Sequence, residues 1–156
     1  MNWKQNLKES LQTEFIFDAP MSFFTTYKAG GAAEVLALPK TEQEVKELIS
    51  FAAENKITFR IFGLGSNILV SDLGLAGITC CLRKLEGINV AEGIISASAG
   101  TALDKVVEAS VNAGFEGMEG LSGIPGSVGG AVYMNAGAFN AETFDCLKDF
   151  KILTQN

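Results

Sequence analysis

Gly63, Leu64, Gly65, Ser66 and Asn67 follow directly on the apolar run Ile57, Thr58, Phe59, Arg60, Ile61, Phe62. Glycines in such a place let the chain turn tightly and bring successive backbone N–H groups toward one anion, while Ser66 and Asn67 add a hydroxyl and an amide. The chemistry is that of a phosphate cradle, although an ordinary glycine-rich turn would use the same residues. The spacing is not G-x-G-x-x-G, and no Gly-Lys-Ser/Thr follows, so neither the Rossmann fingerprint nor the P-loop applies. Ile68, Leu69 and Val70 are β-prone, so the loop is expected to lead into a strand and to hold an anion without a helix N-terminus behind it.

The second chemically suggestive segment is residues 117–130: Gly117, Met118, Glu119, Gly120, Leu121, Ser122, Gly123, Ile124, Pro125, Gly126, Ser127, Val128, Gly129 and Gly130. Six glycines and a proline in fourteen residues give bare backbone that a flat ligand could approach closely, or a connector in a glycine-packed core. Ser127 is placed to cap a following helix through Val132 and Met134. Glu119 is the one carboxylate in this segment that stands out, with a hydrogen bond inside the loop as its expected role. Arg60 and Arg83 read as sheet-edge or surface charges.

Composition removes many alternatives. The chain has no histidine, which excludes imidazole bases, Ser-His-Asp triads and a flavin tethered through histidine within these residues. Cys80 and Cys81 are adjacent and Cys146 is distant, an odd count without framework spacing, so reduced thiols packed in a strand are expected. A net charge of −6 with scattered lysines and arginines disfavours nucleic acid as a partner. No apolar run approaches the roughly 20 residues of a membrane span, and the start lacks a secretory signal, so a cytoplasmic protein without a membrane partner is expected.

The elements that must position these segments follow from periodicity. Trp3, Leu7 and Leu11 share one helical face within residues 2–12. Residues 34–38 read as a strand closed by Pro39, and a helix follows with Thr41 and Glu44 as a capping box and Val45, Leu48, Ile49 and Ala52 inward. Asn55 is expected as its left-handed stop, and residues 57–62 as a second strand parallel to the first with a right-handed crossover. Short strands are expected at residues 68–70, 78–82, 88–90 and 94–97, paired antiparallel. A helix capped by Thr101 with Asp104 would carry Leu103, Val106, Val107 and Val111 inward until Gly114. A last strand is expected at residues 147–153. The class is α+β in two lobes.

Four stretches, taken together, carry a resemblance: Phe24-Thr25-Thr26-Tyr27-Lys28-Ala29-Gly30-Gly31, Gly63 to Asn67, Gly117 to Gly130, and Met134-Asn135-Ala136-Gly137-Ala138. In order and separation they resemble the MurB family of UDP-N-acetylenolpyruvoylglucosamine reductases. The resemblance implies the two-lobed FAD-binding fold of the vanillyl-alcohol-oxidase type: an N-terminal helix and lead-in over residues 1–20, a βαβ lobe over 21–72 and a second lobe over 73–156. It implies non-covalent FAD, with NADPH as electron donor and a UDP-sugar enolpyruvate as substrate.

On that fold Gly63, Leu64, Gly65, Ser66 and Asn67 would hold the pyrophosphate. Gly117, Glu119, Gly123, Ile124, Pro125, Gly126, Ser127, Gly129 and Gly130 would run beside the flavin, and Tyr27, Gly30 and Gly31 would lie near its ring. Asn135, Gly137 and Ala138 would approach the substrate. The family's catalytic arginine, in a downstream Tyr-Arg-x-Ser motif, and its serine and glutamate, in a later substrate domain, would all lie beyond Asn156, so no catalytic residue is expected within this chain. Phe139-Asn140 stands where many relatives have Tyr-Gly, so a phenol contact to substrate would be missing. Two further readings stay open: a flavin- or nucleotide-binding module without turnover, and a related flavin-dependent sugar or alcohol oxidase.

Overall fold

A computed structural model describes residues 3–154. Helix α1 (Trp3–Ser10) buries Leu7 completely. It leads into β1 (Glu14–Pro20), a strand the sequence pattern did not reveal, because its buried positions do not alternate. Strand β2 (Ala32–Leu38), helix α2 (Glu42–Glu54), β3 (Phe59–Phe62) and β4 (Leu75–Cys81) complete one sheet in the order β1-β2-β4-β3. Strands β2, β4 and β3 run parallel and β1 antiparallel. The two strands flanking α2 are thus parallel, as expected, with β4 inserted between them.

That insertion corrects the reading of residues 78–82 as an antiparallel strand. From Gly77 to Cys81 every residue of β4 is buried, the signature of a central strand covered on both faces. Its entry is irregular. Gly77 adopts φ +83, a Cβ there would stand 2.3 Å from the Thr58 carbonyl oxygen, and its N–H donates to Glu34 Oε2 at 2.7 Å.

Helices α1 and α2 pack Leu7, Val45, Leu48, Phe51 and Ala52 against Val35, Ala37, Ile78 and Cys80. Complete burial of Leu7 and Leu48 contributes roughly 1.5–3 kcal/mol each. A second cluster, built on Met21, Leu36, Phe62, Val70 and Cys81, takes in Phe24. Helix α2 starts as read: Thr41 Oγ1 accepts from Glu44 N at 3.2 Å. It ends differently. Asn55 has φ −94 with Nδ2 donating to Phe51 O, and Lys56 takes the left-handed turn at φ 53.

Residues 68–70 form no strand: Val70 is buried against Gly30, Gly31 N donates to Ser71 O, and Leu69 is exposed. The antiparallel expectation holds for β5 (Ile88–Ala91) and β6 (Ile94–Ala97), joined through Glu92 and Gly93, both at positive φ. Helix α3 (Leu103–Asn112) buries Leu103, Val106 and Val107, but Val111 is exposed. Thr101 does not cap it. Its Oγ1 accepts from Gly87 N at 3.0 Å and donates to Gly87 O at 3.1 Å, tying the helix start to the β5 approach. Helix α4 (Val128–Met134), the hairpin β7 (Gly137–Ala138) with β8 (Ala141–Glu142), and α5 (Thr143–Cys146) follow. The strand expected at 147–153 is irregular chain with Phe150 and Ile152 exposed.

Candidate functional site

The loop of residues 63–67 leaves the carboxyl end of β3, and the turn Leu82–Lys84 leaves the carboxyl end of β4 beside it. In sheets of this kind, ligands favour the crevice outside the carboxyl ends of parallel strands. Three of the four glycine-bearing stretches meet at this edge. A Cβ on Gly63 would stand 1.8 Å from Ser127 Oγ; one on Gly65, at φ +77, would stand 2.2 Å from Phe24 O; one on Gly126 would stand 3.1 Å from Ser66 Oγ. Thr26 N donates to Gly65 O at 3.0 Å.

These glycines therefore serve close packing, Gly65 against backbone and Gly63 and Gly126 against serine side chains, before they serve any ligand. The packing still orients the loop. In a trans peptide the C=O and the next N–H point opposite ways. With Gly65 O turned in to Thr26, the Ser66 N–H is turned away from the segment that backs the loop. Ser66 is half-buried and Asn67 exposed, so amide, hydroxyl and carboxamide are available at one rim.

Residues 126–129 are docked on the approach to α3. Leu103 N donates to Gly126 O at 2.9 Å, Val128 N to Thr101 O at 2.8 Å and Gly129 N to Ala99 O at 2.8 Å. Ser127, buried, caps α4 as read from the sequence, with Oγ accepting from Gly130 N at 3.3 Å. Ahead of it Gly117 (φ +103) and Gly123 (φ +78) have open space around them, so their need is for a left-handed backbone and not for room. Glu119 Oε2 accepts from Gly117 N at 2.8 Å, the intraloop role expected of it. Ile124 packs against Leu103, Val107 and Leu121, while Pro125 is exposed.

Gly30 and Gly31 lie against Val70, Asp72 and Gly74, and Tyr27 stands exposed beside them. Asn135 ends α4 at φ 45, and its side chain is engaged within its own turn: Oδ1 accepts from Phe144 N at 3.0 Å and Nδ2 donates to Glu142 Oε2 at 2.6 Å. Gly137 and Ala138 form β7, and a cleft of about 680 Å³ is lined by Asn135, Gly137, Phe139, Asn140, Glu142 and Asp145. Phe139 and Asn140, both at positive φ, make the two-residue turn, and the Phe139 ring is exposed. A separate cleft between α1 and α2 is lined by Asn6, Gln43, Lys46 and Phe51.

Arg83 departs from its reading as a surface charge. Its Cζ lies 4.8 Å from the Phe24 ring centroid, and its Nε is buried with no hydrogen-bond partner among the described residues. Burial pushes the Cys81 thiol up, while the N–H, charge and guanidinium of Arg83 pull it back. Arg60, exposed on the edge strand, donates to Ala76 O. Among the described residues no helix is long and apolar enough to cross a membrane.

Residues 33–156 match the FAD binding domain family. The UDP-N-acetylenolpyruvoylglucosamine reductase of Synechococcus sp. (strain CC9311) is 39% identical over 141 residues, 89% of this chain and 45% of that protein. The corresponding protein of Lactobacillus delbrueckii subsp. bulgaricus is 41% identical over 137 residues, 88% of this chain and 46% of its own. The chain spans about half the length of these curated relatives. The crystal structure of UDP-N-acetylenolpyruvylglucosamine reductase from Thermus caldophilus aligns with a TM-score of 0.63 and 33% identity, over 85% of this chain and 45% of that one. Aclacinomycin oxidoreductase aligns with a TM-score of 0.63 at 16% identity, over 83% of this chain and 27% of its own, a likeness of fold alone.

Proposed function

The chain belongs to the FAD binding domain family, and from that premise we propose that it binds FAD non-covalently as the flavin-holding part of a UDP-N-acetylenolpyruvoylglucosamine reductase. The observation that carries the reading is the convergence of residues 63–67, 126–127 and 24–26 at the carboxyl edge of the parallel strands. The cradle fits a diphosphate. It is a narrow rim where a Cβ at Gly65 would strike backbone, with the Ser66 amide turned outward and Ser66 and Asn67 side chains beside it.

In this reading Gly63, Leu64, Gly65, Ser66 and Asn67 hold the diphosphate from one side and Gly126 and Ser127 border it from the other. Tyr27, Gly30 and Gly31 line the approach, and Gly117, Glu119, Gly123, Ile124, Pro125, Gly129 and Gly130 shape the strip along which the isoalloxazine and ribityl chain lie. FAD, when bound, supplies hydride transfer between NADPH and the enolpyruvyl double bond. The chain's own contribution is binding and orientation: rigid loop amides fix a flat cofactor at small entropic cost. Gly137, Ala138 and the exposed Phe139 ring would border the substrate. Asn135 would act there through the turn it holds, since both ends of its carboxamide are engaged.

The test is to purify the chain, add FAD and remove the excess by gel filtration. Retention of oxidised-flavin absorption that is released on denaturation is expected, together with bleaching on addition of NADPH. A protein that elutes colourless after FAD addition overturns the reading.

A further inference from the structure

We propose that Arg83 is the cation of the diphosphate site, an assignment that rests on the reading of residues 63–67 as the cradle for FAD. Arg83 lies in the turn at the carboxyl end of β4, the strand that pairs with β3 just before the loop begins. Two contacts bind it to that loop. Its guanidinium stacks on Phe24, whose own carbonyl oxygen is pressed against Gly65. It also borders Cys81, whose thiol donates to the Gly63 carbonyl at 3.4 Å. The guanidinium is thus linked to Gly65 through Phe24 and to Gly63 through Cys81.

The contact with Phe24 holds the group 4.8 Å from the ring centroid, and its five N–H donors lie in one plane. Arginine keeps its charge at any accessible pH, so a desolvated Nε–H without an acceptor is a feature buried polar groups rarely show. Nε itself is closed off from any ligand, but Arg83 as a whole is only half-buried, and the terminal N–H groups of its guanidinium would meet an oxyanion at the loop rim in charge-assisted, directional bonds. A fixed positive charge linked through Phe24 and Cys81 to the glycine loop matches a phosphate.

The experiment compares wild type and Arg83→Met in the full chain by calorimetric titration with FAD, and with riboflavin as a flavin that carries no phosphate. Loss of one charge-assisted bond weakens FAD binding by about ten- to a hundredfold. Riboflavin binding and the melting temperature stay unchanged, and FAD binding by the variant depends less steeply on salt than that of wild type. Equal FAD affinity in the two proteins overturns the assignment while leaving FAD binding standing. Equal losses for FAD and riboflavin also overturn it, because Arg83 would then only support Phe24. A wild-type chain that binds no FAD overturns the underlying reading and the assignment together. If Arg83→Met does not fold, Arg83→Lys carries the same comparison: reduced FAD affinity with unchanged riboflavin affinity supports it, and unchanged FAD affinity refutes it.

Discussion

Substituting Gly63 by alanine tests the junction between the two glycine segments. The added Cβ would lie 1.8 Å from Ser127 Oγ and 2.8 Å from Ser127 Cβ. Ser127 has nowhere to go, being 2% exposed and engaged as the cap of α4. Gly63 is not at a left-handed φ, so backbone strain adds nothing and the penalty is steric. Displacing the hydroxyl removes a cap worth about 1 kcal/mol, and overpacking adds about 1–3 kcal/mol. The sum, about 2–4 kcal/mol, corresponds to a fall in melting temperature of about 4–16 °C for a chain of this size.

The discriminating measurement is the double mutant. Ser127→Gly alone should cost only a few tenths of a kcal/mol, because glycine is tolerated at an N-cap. Combined with Gly63→Ala it removes both clashing atoms. Urea denaturation of all four proteins should therefore give a coupling energy of about 1–3 kcal/mol, with the double mutant more stable than Gly63→Ala. Additive losses would mean that the loop and the α4 cap do not abut, and the site as described would be wrong.

Thr101→Val leaves the Gly87 N–H without its buried acceptor and should destabilise by about 1–3 kcal/mol in thermal denaturation; a neutral change would refute the tie between α3 and β5. In a native thiol titration at pH 8 only Cys146 of the three cysteines should react rapidly, since Cys80 and Cys81 are buried. Burial, and then the neighbouring Cys81, push the Cys80 thiol from 9.0 up to about 12. Its folded value is raised, so its contribution is intact below pH 9 and is lost as pH rises from there toward about 12. Cys80→Ala should flatten that alkaline decline in denaturant melts. The Glu34 carboxyl is held below its usual range by the Gly77 N–H, against the opposing effect of burial and with help from Lys4. Its contribution is therefore present above the ordinary glutamate value and lost as pH falls through the lowered one. Glu34→Gln should shrink the acid-side loss of stability, and an unchanged acid profile would refute the assignment.

Much of the site was legible because its signals are local. The Thr41 and Ser127 caps, the β5–β6 hairpin and the two glycine segments depend on residues within a few positions of one another, and each lies where its spacing implied. What failed depends on distant neighbours. Strand β4 was mispaired because nothing within residues 75–81 tells that β2 and β3 will flank it; only its unbroken burial does. Thr101 spends its hydroxyl on Gly87, fourteen residues away, and so does not cap the helix it precedes. Val111 falls on an apolar helical period, yet no element among the described residues covers it. Arg83 looked like a surface charge because its partner, Phe24, lies far back in the sequence. The glycines were read as bare backbone for a ligand, while Gly63 and Gly65 first satisfy Ser127 and Phe24.

A dinucleotide that binds at the rim formed by residues 63–67 and 126–127 must perturb the backbone of those residues first. Backbone amide resonances followed during titration with FAD test it residue by residue. The largest shifts are expected at Gly65, Ser66, Asn67 and Gly126, with smaller ones at Tyr27 and Gly31. Shifts confined to the α1–α2 cleft around Asn6, Gln43 and Lys46, or none at the glycine rim at saturating FAD, would contradict it.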